Sequence, residues 1–126
     1  MKPLVSVIIP AYNVEKYIGE TLKSVFNQTF KDFEIVVVND GSKDNTLHVA
    51  REILNDSGFP FKIVDQVNRG VSVARNVGME NSVGRYIKFL DGDDRLVPNA
   101  IETLVNAIQK CGCGLVYGGQ DVAALS

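Results

Sequence analysis

The chain has 126 residues, of which 45% are hydrophobic and 22% charged, a makeup that fits a folded globular protein and excludes wholesale disorder. Its formal charge of −2, from 13 Lys+Arg against 15 Asp+Glu, offers no basic excess for nucleic acid or anionic lipid. No apolar run approaches the ~20 residues of a membrane span, and Met1-Lys2-Pro3 leads into a β-type run rather than a signal peptide.

In chain order, Leu4–Ile9 reads as a strand stopped by Pro10. Val14, Ile18, Leu22, Val25 and Phe26 follow as the stripe of an amphipathic helix. Phe33–Val38 is a second strand, closed by the turn cluster Asn39-Asp40-Gly41-Ser42. Leu47, Ala50, Ile53 and Leu54 mark a second helix that ends near Ser57-Gly58, and Phe61–Val64 is a third strand. A short helix covers about Val71 to Asn81, with Val71, Ala74 and Val77 on one face. Arg85–Leu90 is a fourth strand. Val97, Ile101, Leu104, Val105 and Ile108 stripe a fourth helix, and Gly114–Tyr117 is a fifth strand. Gly118 to Ser126 reads as a tail. The first two strands are nearly continuous apolar runs, as both-sided burial requires. Alternating strands and helices imply an α/β fold, a mostly parallel sheet with right-handed crossovers and helices on both faces. Cys111 and Cys113 are too close in sequence for a relaxed disulfide and too few for a zinc site, so reduced thiols and a cytoplasmic setting are expected.

Open α/β sheets bind ligands beyond the carboxyl ends of their strands. Pro10-Ala11-Tyr12-Asn13 follows the first strand, Asn39–Ser42 the second, Gln66–Gly70 the third and Asp91-Gly92-Asp93-Asp94 the fourth. The three aspartates would repel one another unless a cation offset them, and oxygen ligands suit Mg²⁺ or Mn²⁺ together with phosphate oxygens. The alternative, which suits Asp94 more than the Asp91/Asp93 pair, is a solvated turn whose aspartates cap the helix starting near Val97. Asp40-Gly41-Ser42 admits a turn reading as well, with Ser42 or Asp44 capping the next helix. Arg75 is either a solvated charge or, beside Asn68, Arg69, Gly70 and Asn76, a group facing an anion. Tyr12 is a half-buried loop aromatic or a platform for a base ring. His48 is placed on the surface.

Several readings are excluded. No glycine-rich turn follows the first strand, and no G-x-x-x-x-G-K-[ST] run exists. With His48 the only histidine, no Ser/His/Asp or Cys/His set can be assembled. A receiver-like signalling domain matches the length but wants its acids after strands one and three.

Together the pieces resemble the family 2 glycosyltransferases, which have the Rossmann-like GT-A fold. The likeness runs through Val5-Ser-Val-Ile-Ile-Pro-Ala-Tyr-Asn13, Ser24-Val-Phe-Asn-Gln-Thr29 and Glu34-Ile-Val-Val-Val-Asn-Asp-Gly-Ser42. It continues in Asn68-Arg-Gly-Val-Ser-Val-Ala-Arg-Asn76 and in Phe89-Leu-Asp-Gly-Asp-Asp94, which is similar to the family's D-x-D metal motif. The resemblance implies an enzyme that moves a sugar from a nucleotide-diphosphate donor, a UDP-sugar, to the hydroxyl of a saccharide or lipid-linked acceptor with inversion. It implies that Pro10, Ala11 and Tyr12 line the base and ribose pocket and that Asp40 accepts a hydrogen bond from the base. Arg75 would frame the nucleotide, Asp91 would lie near ribose and metal-bound phosphates, and Asp93 with Asp91 would hold Mg²⁺ or Mn²⁺. The family's general base and acceptor pocket lie beyond the D-x-D half. No residue between Leu96 and Ser126 is assigned as that base; Glu102 reads as helix surface and Asp121 as tail. Residues 1–126 are therefore expected to be a partial nucleotide-sugar-binding domain, inactive in transfer by itself and prone to self-association at an exposed sheet edge. A binding module without transfer activity is the alternative. The expected location is cytoplasmic, or peripheral at the inner face of a membrane.

Overall fold

The computed structural model describes residues 2–111, 115–118 and 120–124. The elements are β1 (Val5–Ala11), α1 (Ile18–Phe26), β2 (Phe33–Asp40), α2 (Thr46–Asn55), β3 (Phe61–Gln66), α3 (Val71–Glu80), β4 (Tyr86–Phe89), α4 (Ala100–Cys111), β5 (Leu115–Gly118) and β6 (Gln120–Ala124). They form one sheet in the order β3-β2-β1-β4-β6-β5. The four strands β3, β2, β1 and β4 are mutually parallel, whereas β6 runs antiparallel to both β4 and β5.

Every residue of β1 and β2 is buried, because helices cover both sheet faces. Val5, Val7, Ile9, Phe33, Ile35 and Val37 point to one face. They pack there with Ile18, Leu22 and Val25 of α1, Ala50 and Leu54 of α2, and Ile101 and Val105 of α4. The alternate residues Ile8, Val36, Val38 and Ile87 meet Ala74 of α3 on the other. Gly78 lets α3 approach this closely: a Cβ there would stand 2.3 Å from Ile8 Cγ2.

Five local expectations are corrected. Pro10 does not stop β1. The strand runs on to Ala11 because its pairing with β2 continues through Pro10 opposite Val38 and Ala11 opposite Asn39, and on the β4 side the Pro10 carbonyl still accepts from the Gly92 amide at 3.1 Å. Val14 precedes α1 rather than opening it: Asn13 takes a left-handed φ of 53°, and the Val14 amide donates to Thr46 Oγ1. Val71 opens α3 but lies at the surface, at its first turn. Val97 is exposed and lies before α4, which starts at Ala100. The segment read as a tail contains β6, so Asp121 lies in a strand opposite Tyr117. Pairing with β4 supplies backbone partners that the weak local pattern of Gln120–Ala124 does not announce, and the edge of β4 is thereby covered. The pairing state of Cys111 and Cys113 lies outside the described residues. No helix among the described residues is long and apolar enough to cross a membrane.

Candidate nucleotide site at the carboxyl edge of the sheet

The chain moves outward from β1 to β2 and β3, then returns to the other side of β1 to lay down β4. The loops after β1 and β2 lead to helices on one face and the loop after β3 leads to α3 on the other, so a crevice opens between them at the carboxyl edge, where open sheets bind ligands. Pro10, Ala11, Tyr12, Asp40, Asn68, Gly70, Val71 and Ala74 line a cavity of about 180 Å³ there. That is below the roughly 300–1,000 Å³ of clefts that take whole ligands, and of a size for one ring. A broader depression of about 830 Å³ lies at the opposite edge, lined in part by Lys2, Asp32 and Arg85, but no carboxylate cluster converges on it among the described residues.

Asp40 ends β2 and is only 4% exposed. Its Oδ1 accepts from Gln66 Nε2 at 3.1 Å and from the Arg69 amide at 2.8 Å; its Oδ2 accepts from the Gly70 amide at 3.0 Å. Its carbonyl accepts from Asn68 Nδ2. One carboxylate thus fastens the loop that leads into α3. Gly41 makes the approach feasible, with φ at 72° and a notional Cβ only 2.5 Å from the Asn68 nitrogen. Tyr12, 46% exposed, stands at the rim with Val71.

The loops after β1 and β2 are knitted together. The Asn13 amide donates to Ser42 Oγ, the Lys43 amide to Asn13 Oδ1, and the Glu15 amide to Asp44 Oδ2. Asp44 also accepts from the Thr46 amide and hydroxyl, in front of α2. Burial raises the Asp44 carboxyl, but the hydrogen bonds from Thr46 and from the Glu15 amide outweigh that and hold it below its ordinary value.

Beyond β4, Leu90 and Gly92 continue to donate to the Ile8 and Pro10 carbonyls of β1, so the chain stays extended. Alternation then turns Asp91 to the face of Phe89, where α3 lies. Arg75 Nη2 donates to Asp91 Oδ1 at 3.2 Å, and its guanidinium stands 5.9 Å from the Phe89 ring centroid. Arg75 Nε is buried without a hydrogen-bond partner among the described residues. Carboxylate oxygens of Asp91, Asp93 and Asp94 lie within 4.8 Å of one another. Three carboxylates against one paired guanidinium leave negative charge uncompensated, since Arg95 is engaged with Glu20. An all-oxygen set with excess negative charge fits a hard divalent cation.

Of the residues singled out from sequence, Pro10, Ala11, Tyr12 and Asp40 share one cavity, and Arg75, Asp91 and Asp93 adjoin it through α3 and the β4 loop. Asp94 belongs with the carboxylates rather than with a helix cap, because α4 begins only at Ala100. Gln66 and the Arg69 and Gly70 amides were not legible as partners of Asp40. The only signal was the parallel register that sets Gln66 beside it. His48 is exposed next to Glu52, and Glu102 lies on the α4 surface, accepting from Thr29.

A mostly parallel sheet with a ring-sized pocket and a carboxylate cluster on one edge defines a nucleotide-binding fold of the GT-A kind. The chain belongs to glycosyl transferase family 2, whose model matches residues 6–125. It is 39% identical over 114 residues to glycosyltransferase GlyA of Streptococcus pneumoniae, covering 90% of this chain and 16% of that protein. It is 37% identical to the uncharacterized glycosyltransferase EpsJ of Bacillus subtilis, covering 96% of this chain and 36% of that one. The structure matches residues 1–349 of S. aureus TarS in complex with UDP-GlcNAc with a TM-score of 0.82 and 33% identity, over 91% of this chain and 33% of that fragment. It also matches the mannosyltransferase PcManGT of Pyrobaculum calidifontis, in complex with GDP-Man and Mn²⁺, with a TM-score of 0.74 and 28% identity, over 86% of this chain and 32% of that one. The chain thus spans from about a sixth to just over a third of the length of these relatives. Family membership sets aside the receiver-like reading.

Proposed function

We propose that this chain is the donor-binding part of an inverting glycosyltransferase that uses a nucleotide-diphosphate sugar, UDP-linked, and transfers the sugar to a hydroxyl of a saccharide or lipid-linked acceptor. The observation that carries the reading is the convergence, on one sheet edge, of a ring-sized pocket closed by Asp40 and a three-carboxylate cluster beside it. The UDP-GlcNAc and GDP-Man bound in the TarS and PcManGT structures support it.

In this reading Pro10, Ala11 and Tyr12 hold the base and ribose, Tyr12 offering its ring face. Asp40 Oδ2, which has a single protein donor, accepts from the base. Uracil presents an N3–H there, whereas cytosine presents a bare acceptor that an ionised carboxylate repels. Arg75 frames the nucleotide, its unpartnered Nε supplying a further donor. Asp93 and Asp91, with Asp94 alongside, hold Mg²⁺ or Mn²⁺, which when bound stabilises charge growing on the diphosphate leaving group. The acceptor's proton goes to a base that we assign outside residues 1–126. A binding module without transfer is the second reading, favoured for this chain alone by the fraction of its relatives that it spans.

Calorimetry with UDP, with and without Mn²⁺, tests the site. Tighter binding with the metal is expected, and equal UDP and CDP affinities would remove Asp40 from base recognition. Radiolabelled UDP-sugars with acceptor panels test the rest: multiple turnovers by residues 1–126 would show that a base lies within the chain.

A further inference from the structure

A carboxylate has about four acceptor positions, two on each oxygen. At Asp40 three of them are taken by the protein itself: Gln66 Nε2 and the Arg69 amide fill Oδ1, and the Gly70 amide occupies half of Oδ2. The two amides are main-chain groups, whose donors no side-chain change removes. Gln66 is the exception. It ends β3 directly opposite Asp40 in the parallel register, and its side chain is the only one donating to Oδ1 among the described residues.

We propose that Gln66 is a positioning residue for base selection: by occupying Asp40 Oδ1 it leaves the carboxylate one open acceptor, so the pocket takes a base edge with one N–H donor and discriminates against one with two. Uracil has a single ring N–H on that edge. Guanine offers N1–H and the 2-amino group side by side, a pair that a carboxylate receives with both oxygens. Here the second oxygen is full, and the 2-amino group would be desolvated against a donor instead of an acceptor. The inference rests on the reading of this cavity as the base site.

Inosine diphosphate separates the donor count from ring size, since it differs from GDP only by lacking the 2-amino group. Calorimetric titration of residues 1–126 with UDP, IDP and GDP in Mn²⁺ should show IDP binding at least as tightly as GDP. In Gln66→Ala the freed position on Oδ1 should reverse this and favour GDP over IDP by about tenfold, the equivalent of one charge-assisted hydrogen bond at the low end of its range. Gln66→Met, which removes the donor but keeps the bulk, should move the ratio in the same direction, and it stands in if the alanine variant fails to fold. A loss of general order at the β3 end would weaken IDP and GDP alike and leave their ratio in place. GDP binding tighter than IDP in the unaltered chain, or a ratio unmoved in the folded variants, overturns the role of Gln66 and leaves the pocket standing. Failure of all three nucleotides to bind, or binding that Asp40→Ala does not weaken, overturns the pocket as the base site and this proposal with it.

Discussion

Two carboxylates lie buried at opposite ends of β2: Glu34 near its start and Asp40 at its close, 3% and 4% exposed. Both turn to the face that α3 covers, and both accept hydrogen bonds from a loop that α3 adjoins. Glu34 Oε2 accepts from Ser6 Oγ at 2.6 Å and from the Val83 amide at 2.7 Å, while Oε1 faces Lys62 Nζ at 3.4 Å. Ser6 Oγ in turn accepts from the Gly84 amide. Asp40 has three donors but no cation partner among the described residues, and it borders a cavity. Each end of the strand thus carries one buried carboxylate. What differs is the surroundings: Glu34 has a lysine among its three partners, a fastening for the turn between α3 and β4, whereas Asp40 has amide donors alone and borders a ring-sized space. In the proposed reading, the absence of a cation partner and the adjoining space, not burial, set the ligand-facing carboxylate apart from the structural one.

That contrast can be broken at either end. The largest effect is expected from Glu34→Ala, which strands the Ser6 hydroxyl and the Val83 amide. The cost should be about 2–4 kcal/mol in urea unfolding, with little of it from Lys62, which is 42% exposed and returns to water. UDP affinity of the remaining folded protein should not change. A strong loss of UDP affinity there would erase the distinction between the two edges.

Asp40→Ala should do the reverse. UDP affinity should fall about 10–100-fold and the gap between UDP and CDP should narrow, as loss of one charge-assisted hydrogen bond requires. Stability should fall less than in Glu34→Ala, because Arg69 and Gly70 are exposed and their amides can turn to water. Paired titrations and urea curves on both variants give the full comparison.

Asp93→Ala sharpens the picture within the carboxyl edge. Its side chain is exposed, so stability should stay within about 0.5 kcal/mol. The Mn²⁺ dependence of UDP binding should disappear. Identical metal-assisted binding in the variant would take Asp93 out of the ligand set and leave Asp91 and Asp94 to be tested in turn.

The smallest effect is a pH dependence in the loops that rim the site. The folded Asp44 carboxyl titrates below its ordinary value of 3.8. Its contribution is complete above that value and is lost as pH falls through the lower folded one. Urea midpoints at successively lower pH should therefore show the unaltered chain losing an increment that Asp44→Asn never had. Parallel curves for the two proteins would mean that the Thr46 and Glu15 contacts add nothing.

Much of this arrangement follows from local pattern. Nearly continuous apolar runs at Val5–Ile9 and Phe33–Val38, each interrupted by one polar residue, Ser6 and Glu34, read as strands buried on both faces, and the stripes at Ile18, Leu22, Val25 and at Ile101, Leu104, Val105, Ile108 read as amphipathic helices. Strand and helix in alternation then dictate a parallel sheet, and the polar residues that interrupt it at Tyr12, Asp40 and Asp91 collect on one edge. The ordered series from Val5 to Asp94 also pointed to the family that the comparisons show. What the sequence could not determine depends on groups brought together from distant parts of the chain. The left-handed Asn13 and the exposed position of Val71 answer to contacts across the β1, β2 and β3 loops. The strand at Gln120–Ala124 exists because β4 has an edge to fill, not because its residues demand it. The state of Asp40 is the clearest case: its three donors lie 26 to 30 residues away, and hydrogen-bond occupancy, unlike periodicity, is a property of the assembled neighbourhood and has no local signature.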